Sequence, residues 1–170
     1  MRTIFLSLHI VAGIAGLLTG PAAMLAPKRP GWHPRLGLIY QGIVAVLACS
    51  AIGLVTLSPA RLWPFAVIAV ATEAAALAGW FVRRRHRPGW LPVHVSLMCG
   101  SYVSFLTAFL VVNWHSPLAW VLPTVIGSPL IAMAARRAAN APVPRGCRPP
   151  EPAEEQVGAS GNSLRGRTSS

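Results

Sequence analysis

The chain has 170 residues, of which 54% are hydrophobic and only 11% charged, with a formal net charge of +11, where an ordinary soluble domain is roughly 25% charged. So much apolar surface cannot be hidden inside one small globule, and the positive charge lies between apolar runs, not on a polar domain, so it reads as the flanking charge of membrane helices and not as a nucleic-acid footprint. Residues 1–150 hold a single carboxylate side chain, Glu73, which excludes a paired-carboxylate hydrolase or a carboxylate calcium cage.

The first apolar run is Ile4–Ala26, long enough for the ~20 residues that a span needs. A secretory signal is the alternative, with Arg2 as its charged region. No A-x-A site follows, and Lys28, Arg29 and Arg35 are the wrong flank for an exported segment. Ala12, Gly16 and Gly20 recur every fourth residue, a spacing that lets helix backbones approach closely. Packing within the chain is the expected use of that face, and a homo-oligomer contact is the other.

The second run is Leu36–Ser58, the third Leu62–Val82 and the fourth Leu91–Val112. The fifth, Pro117–Ala135, carries Pro123, Gly127 and Pro129 and is expected to be kinked. Five spans put Lys28, Arg29, Arg35, Arg83, Arg84, Arg85, Arg87, Arg136 and Arg137 on one side, and leave Arg2 and Arg61 on the other. Positive charge marks the cytoplasm, so the N-terminus is expected outside and the C-terminus inside. Trp32, Trp63, Trp80, Trp90, Trp114 and Trp120 fall near span ends, as interfacial anchors do.

The expected fold class is therefore all-α: a polytopic membrane helix bundle of about five transmembrane helices over residues 1–137. Residues 138–170 are expected to be a disordered cytoplasmic tail, because this stretch is rich in Pro, Gly, Ser, Arg and Glu and has almost nothing apolar to bury. Lys28 is the only lysine among many arginines. With the Ala and Pro content, that bias fits a GC-rich bacterial genome and hence a bacterial inner membrane. Cys49, Cys99 and Cys147 form neither a C-x-x-C nor an even framework, so no zinc site or disulfide scaffold is indicated.

Glu73 is the first candidate for function. It lies midway along the third span, where a charge costs at least about 2.5 kcal/mol and usually faces the bundle interior. It is a proton- or cation-linked site on one reading, and a hydrogen-bonded structural carboxyl on the other. In the fourth span His94, Met98, Ser101, Tyr102, Phe105 and Phe109 share one face. Tyr102 is level with Glu73, and a hydrogen bond between them is expected, since a buried phenol normally finds a partner. His9 is the third candidate for the intramembrane polar site. His33, Arg35, Tyr40, Gln41 and His94 are expected to gather at the cytoplasmic interface, as a network locking the first loop or as a pocket for an anionic lipid head group.

A haem between two histidines needs both at one depth. His9 and His94 differ in depth by roughly 20 Å at the helical rise, so they cannot clamp one iron. No cofactor or metal is called for by the residues, and no catalytic set is present. Three functions fit: a small transporter or channel-like subunit using Glu73, a non-catalytic structural or accessory subunit, and a haem-binding redox protein.

Two stretches carry a resemblance. One is His9-x-x-x-Gly13, then Gly20-Pro21, then Lys28-Arg29-Pro30-Gly31-x-His33-x-Arg35-x-Gly37-x-x-Tyr40. The other is His94-x-x-x-Met98-x-x-Ser101-Tyr102, then Thr107-Ala108-Phe109-Leu110-Val111-Val112-Asn113 and Leu122-Pro123-Thr124-Val125-Ile126-Gly127. Over roughly residues 4–135 they resemble a family of small multi-pass bacterial membrane proteins of unknown function. The first loop of such proteins often reads His-Arg-Arg-x-Gly-Arg-x-Tyr. Pro34 and Leu38 stand here at two of its basic positions, which weakens an anion-binding role for the loop. The resemblance implies the architecture and no activity.

Overall fold

The computed structural model describes residues 1–27, 31–114 and 116–140. Most of the segment expected to be a disordered tail lies outside them. The described residues form five α-helices and no strand: α1 (Arg2–Leu25), α2 (Trp32–Leu57), α3 (Pro59–Arg85), α4 (Trp90–Asn113) and α5 (Leu118–Ala139). All five are long and apolar enough to cross a membrane. At 1.5 Å per residue they run about 33–40 Å, against a hydrocarbon core of about 30 Å.

The first four helices start a little before their apolar runs, and α5 starts one residue after its own. Trp32-His33-Pro34-Arg35 forms the first turn of α2 rather than a loop, because Gly31 with φ of +120° turns the chain just ahead of it. Pro59 opens α3 at a position where its missing N–H costs nothing. Ser58 alone separates α2 from α3. At its other end α3 stops at His86 in the left-handed region (φ +42°), with Arg83, Arg84 and Arg85 on its last turn, where cations complement the helix dipole. The Arg84 guanidinium lies 3.9 Å over the Trp80 ring, an arginine–tryptophan pair at a span end. α5 runs unbroken from Leu118 through Pro123 and Pro129 to Ala139.

Consecutive helices pack on one another: α1 on α2, α2 on α3, α3 on α4 and α4 on α5. α1 also touches α4, over a short stretch only. Glycines set that stretch. Gly16 faces Ile43 and the Phe105 ring, and Gly20 lies directly against the Tyr102 ring. A Cβ at position 20 would overlap that ring. The face Ala12, Gly16 and Gly20 is buried within the chain, so helix packing inside the bundle is where this spacing is used. The core is small: Tyr40, Val44 and Ala76, with Met98 and Tyr102 packed against them. Large apolar side chains such as Leu18, Leu38, Val67 and Val125 are exposed, the inverse of a soluble protein and suited to lipid.

Candidate functional site

The interior polar groups converge on one layer of the bundle. Because α2 begins at Trp32, Tyr40 and Gln41 lie about 12–14 Å in from that end, and Glu73 lies about 18 Å from the Arg85 end of α3 at the helical rise. Gln41 Nε2 donates to Glu73 Oε1 at 2.9 Å, joining α2 to α3. The Ser101 hydroxyl donates to the Met98 carbonyl at 3.0 Å. Its single proton is thereby used, so it accepts from Tyr40 OH at 3.3 Å, joining α2 to α4. Tyr102 OH donates to the Leu17 carbonyl at 3.3 Å, joining α4 to α1. Four helices are thus hydrogen-bonded at mid-span. Tyr40 and Ser101 are fully enclosed.

The hydrogen bond expected between Tyr102 and Glu73 is not formed. Tyr102 occupies the face of α4 turned to Gly20 and Leu17 on α1, whereas Glu73 faces Gln41 on α2. The two share a depth but belong to different helix pairs. The five residues expected at the cytoplasmic interface also lead to different places. His33 Nδ1–H donates to the Ala23 carbonyl at 2.9 Å, fastening the start of α2 to the end of α1. His94 Nδ1–H donates to the Gly79 carbonyl at 2.8 Å, fastening α4 to α3. Arg35 is exposed. Tyr40 and Gln41 belong to the mid-span layer. The reason is the early start of α2, which carries Tyr40 and Gln41 more than two turns below the surface.

His9 lies in the other half of the bundle. Ser50 donates to the Leu47 carbonyl at 2.9 Å, and its oxygen accepts from His9 Nδ1–H at 3.0 Å. His9 and His94 are in opposite halves, as their spacing requires. Among the described residues no group of three or more His, Cys, Asp or Glu is placed to hold a metal ion.

Among the described residues three buried side-chain oxygens have no hydrogen-bond partner: Glu73 Oε2, Gln41 Oε1 and Thr72 Oγ1. The first two belong to the same pair. The amide and the carboxylate share one bond and leave one bare oxygen acceptor each. Buried polar groups are normally paired, so the pair is short of a positively charged or donating species.

Above this layer is a cavity of about 670 Å³ enclosed by α1, α2, α3 and α4. It starts at the helix ends that carry Arg2, Ser58 and Asn113, and its deepest lining residues are Leu17, Val44, Thr72 and Phe105. His9 lines it at mid-depth. Thr72 lines it and Glu73 does not, so the cavity stops one residue short of the carboxylate. Thr72, Ser50 and Ser101 were not singled out in the sequence as partners of these groups. Only Ser101, by sharing a helix face with Tyr102, carried any sign of it.

No protein-family model matches the chain, and neither a curated protein nor a solved structure is detectably similar to it. What the arrangement can do chemically therefore rests on these residues. It can take up a proton or a small cation at the Gln41–Glu73 pair, beneath a cavity with mostly apolar walls.

Proposed function

We propose that the chain is a small transport or channel-like subunit of a bacterial inner membrane, with the Gln41–Glu73 pair as its working polar site. One observation carries the reading: Glu73 Oε2 and Gln41 Oε1 are both buried and both without a partner. A proton on the carboxyl would turn one of these acceptors into a donor, and a hard cation would take oxygens of both kinds as ligands. Intramembrane carboxylates usually mark such pathways. The cavity supports access from one side, since it reaches to the residue before Glu73. The distribution of basic residues supports an N-terminus outside, so that side is the exterior. The arginine-rich end would then meet the anionic head groups of the cytoplasmic leaflet.

A second reading is favoured by one specific observation, that Glu73 does not line the cavity. The pair would then be a polar lock between α2 and α3 in a structural or accessory subunit. Reconstitution separates the two. Proteoliposomes loaded with a pH-sensitive dye and given a proton or sodium gradient would show flux with the wild type. Glu73→Gln would abolish it while unfolding at nearly the same temperature. No flux above empty liposomes from the wild type, together with lowered stability in Glu73→Gln, would establish the lock.

A further inference from the structure

The Gln41–Glu73 pair has a shape that singles out one cation. A primary amide and a carboxyl group each carry two polar atoms on one carbon. Side by side they can share two hydrogen bonds, one from the amide N–H to a carboxyl oxygen and one from a carboxyl O–H to the amide oxygen. The first of these bonds is present, from Gln41 Nε2 to Glu73 Oε1 at 2.9 Å. The atoms that the second would join, Glu73 Oε2 and Gln41 Oε1, are the two left enclosed and without a partner. The other Gln41 N–H makes no bond to Oε2. Both bare atoms are acceptors unless the carboxyl holds a proton. One proton on Oε2 therefore supplies the missing donor and satisfies both atoms at once.

The surroundings favour the neutral acid. α3 packs on α2 and α4. The titratable groups within electrostatic reach on those two helices are Tyr40, Cys99 and Tyr102, all uncharged near neutral pH. Tyr40 is bonded to Ser101 and Tyr102 to the Leu17 carbonyl, so neither phenol serves the pair. Among the described residues no cationic side chain bonds Glu73. Arg35 is exposed on the first turn of α2, and Arg83 lies about 15 Å further along α3 at the helical rise. An ionised Glu73 would be a charge without a counter-charge and with one oxygen enclosed, which is costly. A carboxylic acid bonded twice to Gln41, itself only 9% exposed, is not.

A metal cation suits the pair less well. Hard cations take about six or more oxygen ligands, and the pair offers two free oxygens, both enclosed. The third bare oxygen is on Thr72, which lines the cavity where Glu73 does not. A proton needs neither the space nor the shell.

We infer that Glu73 is a neutral acid closed with Gln41 into a doubly hydrogen-bonded acid–amide ring, and that the ion this site takes is the proton and not a metal cation. Uptake adds a proton to Oε2 and forms the bond from that O–H to Gln41 Oε1. Release returns the proton to water and leaves the carboxylate, with the bond from Nε2 to Oε1 still in place. Two bonds thus join α2 to α3 in one state and one bond in the other. The choice of ion rests on the transport reading of this site, whereas the ring does not.

Infrared difference spectroscopy of the full chain in proteoliposomes at neutral pH reads the carboxyl directly. Wild type minus Glu73→Gln should show the C=O stretch of a protonated, hydrogen-bonded carboxyl. A carboxylate band in its place would overturn the ring. In Gln41→Leu the C=O band should shift or disappear, and an unchanged band would overturn Gln41 as its partner. The ion is read on the wild type alone, with no variant required to fold. Dye-monitored proton entry that persists when choline replaces sodium is expected, with uptake of radioactive sodium no higher than in empty liposomes. Sodium uptake above that level would overturn the inferred ion and leave the transport reading standing. Neither flux, with the acid band present, would overturn the transport reading and the choice of ion with it, and would support the ring.

Discussion

At Gln41 and Glu73 the two partners are not equivalent, and substitutions should expose the difference. Gln41→Ala takes away the donor that bonds Glu73 Oε1 and leaves both carboxyl oxygens bare, Oε2 of them buried. Removing one partner so that the other is stranded costs about 1–3 kcal/mol, more where that group is charged. Glu73→Gln removes the charge and keeps an acceptor for Gln41, and its own amide hydrogens can serve the bare Gln41 oxygen. Thermal unfolding in detergent should therefore show Gln41→Ala well below the wild type and Glu73→Gln close to it. Equal losses would mean that the pair does not act as one unit. Glu73 could be found from the sequence because it is the lone acid among the apolar runs. The apolar run begins only at Leu36, which places Gln41 near the interface. The helix begins at Trp32, and those four residues move Gln41 one turn deeper than the run implies. The Leu17 carbonyl as the partner of Tyr102 is not legible for a related reason: spacing along one helix gives depth and face, and says nothing about which neighbouring helix that face meets.

Between elements, small residues decide how closely the helices approach. Gly20→Ala would push a methyl group into the Tyr102 ring, separating α1 from α4 and breaking the bond from Tyr102 to Leu17. Overpacking of this kind costs typically about 1–3 kcal/mol. Gly127→Ala would meet Val103 Cγ2 at 2.6 Å and should loosen α5 from α4 in the same way. Gly37 is the control. It sits inside α2 with nothing within 4 Å of its virtual Cβ, so Gly37→Ala should be neutral or stabilise by about 0.5–1 kcal/mol, the helical preference for alanine. Unfolding temperatures that rank Gly37→Ala above the wild type and both others below it are expected, and a lowered Gly37→Ala would show that its face meets something further. The five helices were legible because each apolar run is as long as a bilayer is thick and the runs are separated by Pro, Gly and Arg. The partnership of α1 with α4 was not. Ala12, Gly16 and Gly20 announce a close approach, but they do not say that the approaching groups are the aromatic rings of Phe105 and Tyr102.

For the whole molecule the remaining degree of freedom is which end faces the cytoplasm. Arg35, on the first turn of α2, and Arg83, Arg84, Arg85, Arg136 and Arg137, on the last turns of α3 and α5, all fall at one end of the bundle, and Arg2 falls at the other. Lys and Arg close to span ends are retained on the cytoplasmic side. With Cys49, Cys99 and Cys147 replaced by Ala, a single cysteine in place of Ser116 should react with a membrane-impermeant maleimide on intact spheroplasts. One in place of Asn140 should react only after lysis. The result bears on function because the cavity is not symmetric. It opens at the level of Arg2, Ser58 and Asn113 and ends at Thr72, so an external Ser116 makes it an exterior half-path leading down to Gln41 and Glu73. On the arginine-rich side of that pair, Tyr40, Ser101 and the carbonyl of Met98 are already bonded to one another, and passage would require that chain of bonds to open. Labelling of the Asn140 cysteine and protection of the Ser116 one would reverse the geometry: the cavity would face inward, and the bonded layer would become the barrier to the exterior.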